Sequence, residues 1–105
     1  MATLLTACIV CGSEKEAGKI ASALVAARLA ACVNYFPCKS VFSWKGRVRH
    51  AKEWVLLAKT TARNYPGLER AAKRIHSYEL PAIFAWKDGF AEKKYSSWVN
   101  CAARA

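Results

Sequence analysis

One of the chain's two histidines lies in the stretch His76-Ser77-Tyr78-Glu79-Leu80-Pro81. An imidazole close in sequence to a carboxylate is the beginning of a divalent-cation site, because imidazole suits copper or zinc and a carboxylate adds charge. Two ligands are too few: structural zinc takes four, and catalytic zinc takes three plus a water, so a second subunit would have to complete the set. The same residues have a plainer reading. His76 closes a helix, where the dipole favours an imidazolium, and Tyr78, Glu79 and Pro81 shape the turn that follows. On residue types alone the plainer reading prevails.

Cys8-x-x-Cys11 has the spacing of a redox or metal pair, yet it falls in a strand-like run. Positions three apart on a strand point to opposite faces, so the two thiols cannot converge on one atom. Cys11, at the end of that run, is expected to be the more accessible, and it joins His76 and Glu79 as a candidate metal ligand. The five cysteines (Cys8, Cys11, Cys32, Cys38 and Cys101) are an odd number in apolar surroundings. They read as free or buried thiols in a reducing compartment, which places the protein in the cytoplasm unless an organellar targeting segment precedes this stretch.

Catalytic groups are sparse: the only aspartate is Asp88, and there is no glycine-rich phosphate loop and no serine in a nucleophile elbow. A Cys11–His76 pair would lack a third, orienting group. No enzyme activity and no required cofactor are expected.

Lys and Arg outnumber Asp and Glu by 17 to 7, for a formal charge of +10. Arg70, Lys73 and Arg74 share one helix face, and Lys45, Arg47, Arg49 and Lys52 cluster about a glycine turn. A sheet that reads RNA needs exposed aromatics on its central strands. Leu4–Val10 offers none and Glu53–Thr60 offers Trp54 alone, so the charge reads as a solvated basic surface without a nucleic-acid partner. The apolar opening, Met1 to Gly12, carries no basic residue ahead of it and suits a buried strand better than a signal peptide or membrane span.

The elements that position these groups follow from the hydrophobic period. Residues 3–11 form a continuous apolar run, a buried central strand. Ser13-x-x-Glu16 is a capping box, and Ala17, Ile20, Ala21, Leu24 and Val25 make the stripe of a helix ending near Arg28 or Leu29. Two aromatic and β-branched arms flank Lys45-Gly46 and form a long, protruding hairpin, with Pro37 forcing a bend, bulge or edge position. Leu68, Ala71, Ala72 and Ile75 mark a second helix, with Asn64 as N-cap and Pro66 in its first turn. Ala82–Trp86 reads as a short buried strand, and a closing helix runs through Tyr95, Trp98 and Val99. The order predicts one α+β domain over residues 1–105, a ferredoxin-like βαββαβ sandwich with a short C-terminal helix.

Tyr35, Phe42, Trp44 and Trp54 in the hairpin amount to more aromatic surface than four strands can cover. An unpaired hairpin also exposes strand edges, which a closed homo-oligomer would pair. A second class of function is a signalling module like the trimeric PII regulators, with Trp44, Lys59 and Lys87 lining an anion pocket between subunits. A third is a structural trimer that binds another protein.

Five segments, "RLAACVNYFP", "SVFSWKGRV", "EWVLLAKTT", "IHSYELPAI" and "YSSWV", together resemble the CutA divalent-cation tolerance family in order and spacing. The resemblance implies a homotrimer whose hairpins pair between subunits, a role in tolerance of copper or other divalent cations, and a protein partner in animal members. It places His76 on the family's motif histidine. Ile75 stands where some bacterial members carry a second histidine, and Ile9 where those members carry a strand-end cysteine. Cys11 matches the cysteine of a Thr-Cys-Pro variant, with Gly12 replacing the proline, and Ser77 replaces the proline after the histidine. The expected metal candidates are therefore His76, Glu79 and Cys11, and the expected intersubunit residues are Trp44, Trp54, Lys59 and Tyr78.

Overall fold

The computed structural model describes residues 2–105. Its elements run β1 (Leu4–Cys11), α1 (Glu14–Ala26), β2 (Cys32–Trp44), β3 (Arg47–Thr61), α2 (Tyr65–Ile75), β4 (Ala82–Lys87) and α3 (Lys93–Ala102). The strands lie in the order β2-β3-β1-β4 with every pairing antiparallel, the expected ferredoxin-like arrangement.

Strand alternation divides the sheet into two faces. Ala7, Ile9 and Cys11 of β1 and Leu56 and Ala58 of β3 meet Ile20 and Leu24 of α1 and Leu68 and Ala72 of α2, all with no exposed surface. Full burial of each Ile or Leu contributes about 1.5–3 kcal/mol, so this layer is the main source of stability. The other face carries Cys8 and Val10 of β1, Val55 and Leu57 of β3, Phe36 of β2, and Phe84 and Trp86 of β4, brought into line by the register. No helix covers its centre. Phe36, Phe84 and Trp86 remain 43%, 51% and 47% exposed. β4 therefore departs from the expected buried strand: at the sheet edge, its alternate side chains face the uncovered side.

The hairpin register runs unbroken from Cys32↔Lys59 to Trp44↔Arg47. Pro37 sits within it without a bulge, because β2 is an edge strand and its missing N–H removes no inner bond. The turn takes Lys45 and Gly46 through positive φ (52° and 75°), the type I′ geometry that matches strand twist.

α1 begins as expected, with Ser13 Oγ accepting from the Glu16 N–H at 3.1 Å. It ends at Ala26, before the expected Arg28, in a Schellman motif: Leu29 N–H donates to Leu24 O and Arg28 N–H to Val25 O. Arg28 occupies the left-handed region (φ 60°), where a residue other than glycine costs about 1–2 kcal/mol. Its guanidinium crosses to the end of α3, donating to Cys101 O at 2.9 Å and to Ala102 O at 3.4 Å. Asn64, at the N-cap position of α2, makes no side-chain cap bond there; its buried amide donates to Ala103 O. α3 packs Val99 against Leu4 and Ala31. Among the described residues, no helix is long and apolar enough to cross a membrane.

Arg28 yields a direct test. Arg28→Ala keeps the strained backbone and loses the guanidinium bonds, so urea unfolding is expected to show a loss of about 1–3 kcal/mol. Arg28→Gly loses the same bonds but relaxes the backbone, and is expected to lose less. Equal losses would remove the strain from this account.

Candidate functional site

The stretch from His76 to Pro81 connects α2 to β4, and three of its residues are tied to separate elements. His76 is the C-cap of α2, its N–H donating to Ala72 O at 2.9 Å. Its ring Nδ1 accepts from the Tyr78 N–H at 3.1 Å, which assigns the proton to Nε2, and Nε2 donates to Val10 O at 2.7 Å. The plainer reading of His76 as a helix-closing residue agrees with its place as the C-cap of α2. As a metal ligand it would have to surrender one of these bonds.

Ser77 is held by Glu16, whose carboxylate accepts from the Ser77 N–H at 2.7 Å and from its hydroxyl at 3.1 Å. Half of the expected capping box is thus redirected: Glu16 secures the distant turn rather than its own N-cap. Tyr78 donates to Glu53 Oε2 at 2.8 Å, and Glu53 is 6% exposed. Burial, reinforced by the Glu53 bond, raises the Tyr78 hydroxyl well above the usual tyrosine range. Gly12 leaves room for this ring, since a Cβ there would lie 3.0 Å from the Tyr78 hydroxyl oxygen.

Glu79 follows this anchored stretch and is exposed. It borders an open groove of about 810 Å³ between the 77–82 segment and the outer hairpin, where Tyr78, Glu79 and Leu80 face Phe42, Trp44 and His50. Tyr78 and Trp44, both expected at an intersubunit pocket, therefore share one groove.

The other candidates separate. Cys11 has no exposed surface and Cys8 is 8% exposed, so Cys11 is the less accessible thiol, contrary to expectation. Its position on the helix-covered face explains this, and desolvation raises its pKa. Its Sγ donates to Ser13 O at 3.6 Å. Cys8 lies on the opposite face, as alternation required, and all five thiols are free. Trp54 also faces the helix layer, packed against the buried cluster rather than turned outward, because it shares the parity of Leu56 and Ala58. Lys59 donates to Asn34 Oδ1 at 2.8 Å at the base of the hairpin. Trp44 is at its tip, about 40 Å along the strand at ~3.4 Å per residue, so one protomer does not join them in a pocket.

Among the described residues, no group of three His, Cys, Asp or Glu side chains could hold a metal ion. His76, Glu79 and Cys11 do not form a closed site within one protomer. Of the residues that fix the groove wall, the sequence placed Glu16 in a helix cap and Gly12 after the first strand, and gave Glu53 no role. An acid inside the apolar run Glu53–Leu57 was the available signal for one of them.

Tyr78→Phe leaves the buried Glu53 carboxylate without its partner and is expected to cost about 1–3 kcal/mol. The pH dependence has a defined sign. Because the folded-state pKa of Tyr78 is raised, its contribution is complete below about pH 10, the unfolded tyrosine value, and is lost as pH rises further. Alkaline titration of thermal stability is expected to show a steeper loss above about pH 10 in the wild type than in Tyr78→Phe. Superimposable profiles would remove Tyr78 from this role.

Comparison with known proteins places this geometry. The family model for the CutA1 divalent ion tolerance protein matches residues 5–102. The divalent-cation tolerance protein CutA of Thermus thermophilus is 40% identical over 89 residues, covering 84% of this chain and 86% of its own. That of Archaeoglobus fulgidus is 36% identical over 92 residues, covering 88% and 90%. The solved structure described as the periplasmic divalent cation tolerance protein CutA of A. fulgidus superposes with a TM-score of 0.94 at 33% identity, covering 96% of this chain and 99% of that one. CutA1 of Oryza sativa gives 0.95 at 26% identity, covering 98% and 95%. With a family match over almost the whole chain and the same fold in solved relatives, this chain belongs to the CutA1 divalent ion tolerance protein family.

Proposed function

We propose that this protein acts in divalent-cation tolerance as a non-catalytic, cytoplasmic homotrimer, with copper or another divalent metal as cargo rather than a resident cofactor. One observation carries the assembly: the uncovered sheet face exposes Phe36, Phe84 and Trp86 beside Val55 and Leu57. A contiguous apolar patch of this kind marks an interaction surface. The occupant is a second copy of the same chain. β2 and β4 are free edges at opposite ends of the sheet, so head-to-tail pairing can close a ring, with the outer hairpin reaching onto a neighbour. The groove beside Tyr78 and Trp44 then becomes a cleft between subunits.

Cation contact is assigned to exposed carboxylate at that cleft, with Glu79 as its ligand from this chain. His76 serves it indirectly by holding the segment in place. The names of the relatives favour this reading over a PII-like signalling module. The five free thiols accord with a reducing compartment. The sparse catalytic groups of the sequence and the structural bonds of Glu16, Glu53 and His76 support the absence of catalysis.

Native mass spectrometry is expected to show a trimer for the wild type and smaller species for Trp86→Asp, which places a charge on the uncovered face. A persistent trimer in that variant would move the interface elsewhere. In Cu²⁺ calorimetry, Glu79→Ala is expected to weaken binding, whereas His76→Ala lowers the melting temperature and leaves the binding heat little changed. The reverse pattern would return His76 to the metal.

A further inference from the structure

Three arginines gather around the C-terminal end of α3, on a part of the molecule that neither the groove nor the uncovered sheet face includes. Arg28 donates to the carbonyls of Cys101 and Ala102, and Asn64 to that of Ala103. The negative end of the helix, which would repel an anion, is thereby covered by donors. Arg63 and Arg104 instead line a small pocket of about 240 Å³ together with Ser97, Asn100 and Cys101. Among the described residues, no Asp or Glu lines it. Two exposed arginines lining one pocket give it a positive potential, which an anion held between them would offset.

We propose that this pocket is an oxyanion site for a phosphate group. Arg63 belongs to the β3–α2 connection and Arg104 lies just beyond α3, so different elements supply the pocket's two guanidinium forks. Such forks match the paired oxygens of phosphate. Ser97 adds a hydroxyl donor. Asn100 is mostly engaged elsewhere, its Oδ1 accepting from the Ala2 N–H and one Nδ2 N–H donating to Ser96 O, which leaves one amide N–H for the pocket. The volume is several times the ~30 Å³ share of one water molecule, so a phosphate with a short organic stem also fits. The walls are pre-positioned: Arg28 and Asn64 tie the end of α3 to the α1 terminus and to the start of α2. A built frame of this kind reduces the ordering cost of binding.

The test is calorimetry at constant ionic strength, with inorganic phosphate and glycerol 3-phosphate as probes and chloride as the balancing anion. The wild type is expected to show saturable binding of at least one probe, and comparison of the two separates free phosphate from an organic monoester. Arg63→Ala and Arg104→Ala, with circular dichroism confirming their fold, are expected to weaken binding by about tenfold or more, the equivalent of losing a charged hydrogen bond. Arg70→Ala, on the outer face of α2, is expected to bind as the wild type does. Non-saturable heats, or equal weakening in Arg70→Ala, would show diffuse surface charge and overturn the proposal.

Discussion

Everything in this protomer depends on β1 and β3 being apolar on both faces while α1 and α2 cover only one and α3 reaches only the end of the other. The inner strands of the sheet send Ala7, Ile9, Leu56 and Ala58 into the helix layer. Alternation then obliges Cys8, Val10, Val55 and Leu57 to the other side, where the edge strands add Phe36, Phe84 and Trp86. A one-residue slip would exchange the two sets, so the register that builds the core also builds the exposed patch. Folding and assembly are in this sense one pattern.

The connection from α2 to β4 works under a second constraint. It must leave a helix, cross the end of β1 and enter an edge strand within a few residues, and its backbone donors need partners on the way. Glu16 receives the N–H of Ser77, the imidazole of His76 receives that of Tyr78, and Glu53 receives the Tyr78 hydroxyl. Chemically versatile residues are thus engaged in holding a turn. Glu79, immediately beyond these anchors, is the carboxylate they present to solvent and to the groove.

Much of the fold was legible because hydrophobic periods change sharply along the chain. The β1 run, the Ser13 cap and the α1 stripe, and the Lys45-Gly46 turn each carry a local signal, and each element was found within a few residues. β4 was misjudged because a short apolar run looks alike in a buried strand and in an edge strand awaiting a partner. Cys11 was misjudged for a related reason: the end of a strand is accessible only if nothing packs over it, and α1 does. Trp54 shows the same limit, since its face follows from the pairing register rather than from its type.

The sequence by itself determined the element order, the fold class and the family, because these are written in local periodicity and in motif residues at fixed spacing. It also set the separation of Cys8 from Cys11, which needs nothing beyond strand geometry. Tertiary structure alone decided the chemistry. Whether His76 has a free nitrogen depends on Val10 O and the Tyr78 N–H, and whether Glu53 is exposed depends on Tyr78 and the space at Gly12. Hydrogen bonds between residues distant in sequence are chosen by three-dimensional proximity, and that proximity exists only once the chain has folded.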